Sequence, residues 1–257
     1  MATTLSYTHL DNSSAMFDQM IRRFGVVTVM NAHVYPFDKG LVNDSNKADA
    51  IIKQFVTYEN GQYTWKKSIT VGSGATEHTV NELCVLDTLK VANVTEEGPT
   101  KTVTGGQYAN PLIKFGKTAR LEMQDALGNA PAIEALCGGL VEGTTLEGLI
   151  GDHTDENTDD IGALHFGTDF AGPKTIIGES FFIDQKSGQQ VKVIIAFYQF
   201  QPDSIFNLTQ DAEGDATVFD MNGDLLATNI LVSTKTQNQS VSHGVFYSVV
   251  DPALLSA

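Results

Sequence analysis

Residues 191–200 read V-K-V-I-I-A-F-Y-Q-F. The run has the length of a strand, and its middle is apolar at successive positions rather than alternate ones. Successive side chains of a strand point to opposite faces, so such a stretch must be covered on both sides. A chain containing it needs one packing layer above the strand and another below, for instance a helix on one side and a second sheet on the other. With 257 residues there is enough chain to supply both.

Other strand-length runs surround it. Residues 26–35 are β-branched and end at Pro36. Residues 51–58 and 62–71 flank Asn60-Gly61, the strongest short hairpin signal in the chain. Trp65, the only tryptophan, alternates with Tyr63 and is expected as a half-buried anchor. Residues 72–76 form a small-residue turn, residues 80–94 add strand, and residues 95–108 make a loop or hairpin tip punctuated by glycine and proline. Residues 205–209 and 217–220 alternate, with Phe206 and Leu208 on one side and Asn207 and Thr209 on the other. Asn222-Gly223 reads as a hairpin turn, and residues 225–234 and 241–250 complete the sheet.

Two short helices are expected. Across residues 11–25, Phe17, Met20, Ile21 and Phe24 fall at i, i+3, i+4 and i+7, with Gly25 as the stop. Arg22 and Arg23 lie in its last turn, where positive charge suits the helix dipole. Asn129 and Pro131 mark the second start; Ile133, Leu136, Cys137 and Leu140 share a face, and Gly138-Gly139 cuts the helix short. Residues 37–50 and 144–173 read as extended polar loops. The second is long, acidic and glycine-punctuated, as functional loops are, and is expected to be ordered only against a neighbouring subunit. No repeat or linker divides the chain. The fold expected is one domain, 1–257, α+β and predominantly β: a β-sandwich or rolled sheet with one or two short flanking helices.

Charge narrows the function. The formal net charge is −15. Between Arg120 and Lys174 there are eleven acidic residues and no basic one; between Lys192 and Lys235 there are six and none. Charge segregated in this way builds a field over part of the surface. Conventional DNA binding is disfavoured, because neutralising phosphates needs clustered Lys and Arg. No apolar run approaches the ~20 residues that cross a bilayer, and the start of the chain has no secretory pattern, so a cytoplasmic origin is expected. Cys84 and Cys137 are too few for a disulfide framework and sit among apolar neighbours, as buried thiols do.

Catalytic and metal motifs are not found. Asp152, Asp155, Glu156, Asp159 and Asp160 offer oxygen ligands for Ca²⁺, but without EF-hand spacing or its terminal glutamate. Residues 220–224 begin like a calcium loop, yet the glycine comes too early. His9, His33, His78, His153, His165 and His243 are dispersed without zinc spacing, and His165, beside Phe166, is expected to be packed. No G-x-S-x-G occurs, and V-G-S-G-A-T does not continue into a phosphate-binding lysine. No enzymatic activity, metal or cofactor is expected.

Two segments carry a resemblance. Residues 178–227 contain a hydrophobic strand, a Pro-Asp break, then N-L-T, A-E-G-D and F-D-M-N-G-D-L-L. Residues 114–141 contain F-G-K, L-E-M-Q-D-A-L-G and I-E-A-L-C-G. In this order they resemble the strand-turn-helix and carboxy-terminal sheet of bacteriophage major tail tube proteins, over roughly a third of the chain. The resemblance implies a structural virion protein, assembled in the host cytoplasm, whose six-membered rings stack into a hollow tube that conducts DNA from capsid to host. It implies joined sheets forming an inner barrel, and the tail terminator, tape measure and baseplate or sheath proteins as partners.

Six chains of −15 give a ring of −90. On this resemblance Asp203, Asp211, Glu213, Asp215, Asp220 and Asp224 are expected to face the lumen, where DNA slides past like charge without specific binding. Asp38, Asp44, Asp152, Asp155, Glu156, Asp159 and Asp160 are expected in loops between rings, together with the amino-terminal arm. Two alternatives stand beside it: another β-rich virion protein, such as a capsid decoration protein or distal tail adaptor, and a calcium- or glycan-binding β-sandwich module using the acidic loop.

Overall fold

The structure, a computed structural model, describes residues 24–26, 29–87, 89–98, 100–102, 112–114, 116–125, 130–142, 163–184, 190–205, 219–233 and 240–255. Strands dominate, and every strand pairing within a sheet is antiparallel. In chain order they begin with β1 (Phe24–Val26), β2 (Met30–Pro36), β3 (Val56–Glu59), β4 (Gln62–Trp65), β5 (Ser68–Val71) and β6 (His78–Asn81). Then come β7 (Cys84–Leu86), β8 (Leu89–Glu97), β9 (Thr100–Thr102), β10 (Leu112–Lys114), β11 (Thr118–Asp125), β12 (Gly139–Glu142) and β13 (Ala163–Phe166). The last are β14 (Lys174–Asp184), β15 (Gln190–Pro202), β16 (Phe219–Leu225), β17 (Thr228–Ser233), β18 (Ser240–Val245) and β19 (Tyr247–Val250). Among the described residues there are two α-helices, α1 (Ala48–Ile52) and α2 (Ala130–Cys137).

The main sheet has the order β7-β2-β14-β15-β16-β11-β8, with β1 also on β14 and β19 also on β15. Its two end strands are neighbours in the chain: β7 ends at Leu86 and β8 begins at Leu89. Three residue steps reach at most about 10 Å, so the sheet curls until its ends approach. Inside the curl lies a first core of Ala32, Val34, Leu86, Leu121, Met123, Ile176, Phe197 and Phe200, with α2 adding Ala132, Ala135 and Leu136. A second core lies on the other side of β2, β14 and β15. It gathers Tyr35, Ile177, Ile194, Ala196 and Tyr198 with Ile51, Ile52 and Phe55 around α1, the β5–β6 hairpin, Ile230 and Leu255. β15 is thus covered on both faces, as its sequence requires.

Local signals explain several elements. Asn60 (φ 52°) and Gly61 (φ 81°) make the tight β3–β4 turn, and Trp65 on β4 is half-buried. Pro131 sits in the first turn of α2, and Gly138 (φ 72°) ends it. Cys84 and Cys137 are free and buried, and burial pushes their thiols up to about 12 and about 11.

Other expectations are corrected. Residues 51–58 are not one strand: Ile51 and Ile52 both bury into the second core, which adjacent residues of a strand cannot do, and so they end α1. Phe24 and Gly25 pair with Asp184 and Ile183 in β1, so Gly25 stops no helix; residues 11–23 lie outside the described residues. The segment 37–50 is less polar than it reads, because Leu41 and Val42 are buried in the second core. Within 144–173, Ala163–Phe166 pairs with β12, and His165 is exposed on that ribbon rather than packed; Leu140 belongs to β12, not to the helix. Phe206 to Thr209 lie outside the described residues.

Asn222-Gly223 is no turn. Both residues are inside β16, paired with Glu122 and Leu121 of β11. The glycine is needed for close approach: a Cβ there would collide with the Gln201 carbonyl oxygen and lie 2.7 Å from the Phe200 ring. Gly223→Ala is therefore expected to destabilise the fold by about 2 kcal/mol through overpacking. A urea midpoint equal to wild type would show that the contact is not tight.

Candidate functional site

The strands β8, β11 and β16 place a polar surface opposite the first core. Along β11 the sequence T-A-R-L-E-M-Q-D alternates. Ala119, Leu121 and Met123 are buried, which turns Thr118, Arg120, Glu122 and Gln124 outward. Register brings Glu97, Thr95 and Asn93 of β8 opposite Thr118, Arg120 and Glu122. From the other side, Asp224, Asn222 and Asp220 of β16 come opposite Arg120, Glu122 and Gln124. Cross-strand partners point to the same face, so these side chains form one surface.

Asp203, just beyond β15, joins it. Its amide donates to the Asn222 carbonyl at 2.9 Å, and its carboxylate accepts from both terminal nitrogens of Arg120. Arg120 also donates to Asp224 at 3.3 Å, and Gln124 donates to Asp220 at 2.9 Å. The Asp203 hydrogen bond, foremost, raises the guanidinium above its ordinary range. One guanidinium among five carboxylates (Glu97, Glu122, Asp203, Asp220 and Asp224) leaves the face acidic. Its outer strand, β8, has nine residues and pairs with β11 alone among the described residues.

Of the acidic residues expected at a lumen, Asp203, Asp220 and Asp224 come together here, while Asp211, Glu213 and Asp215 lie outside the described residues. Of those expected between rings, Asp38 and Asp44 sit in the turns between β2 and α1, away from this face. Asp152, Asp155, Glu156, Asp159 and Asp160 lie outside the described residues. Asp38 accepts from His78 at 2.7 Å and from the Gly40 amide at 2.7 Å. Partial burial pushes its carboxyl up, but His78 and the Gly40 and Leu41 amides together outweigh burial and hold it below the usual range. The Asp38 hydrogen bond holds His78 up in turn.

Sequence reasoning missed Arg120 as the counter-ion of the face, although the period-2 pattern of residues 118–125 contained the signal. It also missed a cluster with no local signal at all. His33 on β2 stacks on Trp65 at 3.7 Å and 15°, and its Nδ1 meets Glu82 Oε1. Burial lowers the His33 pKa and outweighs the raising effect of Glu82 and Glu179.

Among the described residues no group of three or more His, Cys, Asp or Glu is placed to hold a metal ion, and no helix is long and apolar enough to cross a membrane. In comparisons with known proteins, no family model matches the chain, and no curated protein matches it significantly.

Arg120 is partly exposed, so Arg120→Gln should cost less than about 1 kcal/mol and the loss should shrink in high salt. A larger, salt-independent loss in urea titrations would contradict that. Burial keeps the His33 ring neutral in the fold down to a lower pH than in the unfolded chain, where the imidazole titrates near its ordinary value of 6.5. The unfolded state therefore binds more protons below that pH, and stability contributed by the neutral ring is lost as pH falls from 6.5 towards the lowered native value. Urea midpoints between pH 8 and 5 should fall more steeply for wild type than for His33→Gln; parallel curves would remove His33 as the cause.

Proposed function

We propose that this chain is a bacteriophage tail tube subunit: one domain, a rolled sheet with short flanking helices, forming six-membered rings that stack into a DNA conduit. The resemblance of residues 114–141 and 178–227 supplies the family. The acidic face of β8, β11 and β16 carries the reading, because the strand β8 that borders it ends the sheet and pairs with β11 alone among the described residues. Copies joined along that edge extend one polar surface from subunit to subunit and hide the backbone groups that would otherwise promote aggregation.

Such a surface acts by what it refuses. Duplex DNA passing within about 8 Å, a Debye length in physiological salt, meets like charge. Among the described side chains of this face it finds no cluster of lysines or arginines to hold its phosphates. Arg120 is tied to Asp203 and Asp224 and is not presented as a phosphate ligand. The function is structural, with no reaction chemistry. The partners are further copies of the chain, the tail terminator, the tape measure and the baseplate or sheath proteins, and the site of action is the virion tail.

Negative-stain electron microscopy of the purified protein over rising concentration tests this. Long hollow tubes with a regular axial repeat and six-fold end views are expected. Stable trimers or isolated closed rings would move the assignment to a decoration or adaptor protein. Glu122→Lys with Asp220→Lys should leave tubes intact but make them retain short duplex DNA at low salt, which wild-type tubes release. Failure of the double variant to form tubes, with its fold intact, would count against an inward-facing position for this surface.

A further inference from the structure

The chain contains two Asn-Gly pairs, Asn60-Gly61 and Asn222-Gly223, and the fold sets them in opposite surroundings. An asparagine side chain is attacked by the next backbone nitrogen most readily where glycine follows, because no Cβ crowds the approach. Asn60 and Gly61 are the two central residues of the β3–β4 turn, with φ of 52° and 81°. Glu59, Asn60, Gly61 and Gln62 are all exposed, and among the described residues a Cβ on Gly61 would meet nothing within 4 Å. Lys192 on β15 donates to the Gly61 carbonyl at 3.3 Å, a contact that is itself exposed. This turn can open locally while both cores stay packed.

Asn222 and Gly223 have no such freedom. Gly223 pairs with Leu121 of β11 and with Pro202 of β15, and the Asn222 carbonyl accepts from the Asp203 amide at 2.9 Å. The Phe200 ring and the Gln201 carbonyl already fill the space a Cβ on Gly223 would need. Bringing the Gly223 nitrogen onto the Asn222 side chain would require β16 to leave both of its neighbours, and a central strand opens only with much of the sheet.

We propose that Asn60 is a site of spontaneous deamidation in the folded protein, that the sheet protects Asn222, and that conversion of Asn60 loosens the β3–β4 hairpin from His33. The step needs only water. The Gly61 backbone nitrogen gives up its proton and attacks Asn60 Cγ. The new N–Cγ bond forms as the Cγ–Nδ2 bond breaks, and Nδ2 takes up a proton and leaves as ammonia. Water then opens the five-membered succinimide ring. Cleavage between the nitrogen and Cγ gives an aspartate at position 60; cleavage between the nitrogen and the main-chain carbonyl carbon gives an isoaspartate, with the chain running through Cβ and Cγ. Both products add a negative charge, and the second also lengthens the backbone by one carbon. A two-residue turn whose central residues both have positive φ matches the twist of its strands closely, so the extra carbon splays them. The turn sets the pairing of Tyr58 with Tyr63 and of Val56 with Trp65, and Trp65 stacks on His33 at 3.7 Å. A change at the exposed tip thus reaches the His33 ring. The inference is independent of the assembly proposed above.

Peptide mapping by mass spectrometry tests it, on the full chain held folded in mildly alkaline buffer beside a sample in concentrated urea. In the folded sample Asn60 should convert at least about tenfold faster than Asn222, because only the turn opens locally. In urea, where glycine follows both and neither is held, the two should convert at similar rates. An isoaspartate methyltransferase should label position 60 of the folded chain. Trp65, the only tryptophan, should change its emission in step with the conversion. Asn60→Gly keeps a residue that suits the turn and removes the reacting amide, so its emission should stay constant over the same period. The wild-type comparison stands whether or not that variant folds. Asn222 converting as fast as Asn60 in the folded chain, or Asn60 intact after the urea sample has converted fully, would overturn the site. Conversion of Asn60 with Trp65 emission unchanged would overturn its reach to His33.

Discussion

Burial on both faces of β15 is the constraint on which the rest of the molecule depends. Ile195 and Phe197 go into the first core, Ile194, Ala196 and Tyr198 into the second, and β14 and β2 repeat the division with Ile176 and Ile177, Val34 and Tyr35. A central layer of this kind cannot exist without cover on each side. The first side is closed by curling β16, β11 and β8 round and setting α2 inside; the second is closed by α1, the hairpins and the carboxy-terminal 3-10 turn. Each fully buried Ile or Phe side chain contributes about 2 kcal/mol. Curling the sheet therefore stabilises the chain through its core and leaves the outer side of β11 free to be polar.

That division also fixes where the charges point. Ala119, Leu121 and Met123 are inward, so Arg120, Glu122 and Gln124 must be outward. A slip of one residue would exchange the two sets. It would remove two large apolar side chains from the core and bury a guanidinium and a carboxylate, a loss of several kcal/mol before any ion pair is considered. The Arg120 contacts with Asp203 and Asp224, partly exposed, contribute at most about 1 kcal/mol. Packing selects the face, and the ion pairs only tidy its charge.

The same physics explains what could be read in advance. Elements set by local stereochemistry were legible: the left-handed Asn60-Gly61 turn, the Pro131 to Gly138 limits of α2, and the doubly apolar β15. Elements set by a distant neighbour were not. Gly223 looks like turn glycine in sequence, but its role comes from Phe200 and Gln201 on another strand. Ile51 and Ile52 suit a strand by composition and became helical because one core accepts both. His33 and Glu82 are 49 positions apart, and nothing near either announces the other. At the candidate site, abundant carboxylates pointed to an acidic surface, yet composition could not reveal that Asp203 and Asp224 share a cation.

Acidity and self-association pull in opposite directions, and the distribution of surface types reconciles them. Exposed like charges repel weakly beyond about 8 Å, because salt screens them. Apolar contact gains about 25 cal/mol for each Å² removed from water, so a patch of a few hundred Å² outweighs that repulsion by several kcal/mol. Copies carrying −15 each can therefore meet, provided that the meeting places are not the acidic face itself. The strand β8, which pairs with β11 alone among the described residues, ends the main sheet, and the exposed Phe170 and Ile205 offer apolar area. Neither requires the carboxylates of Glu122, Asp220 or Asp224 to approach their counterparts closely. An acidic surface arranged in this way is compatible with dense packing of subunits, whereas the same charge spread evenly would oppose every contact the chain could make.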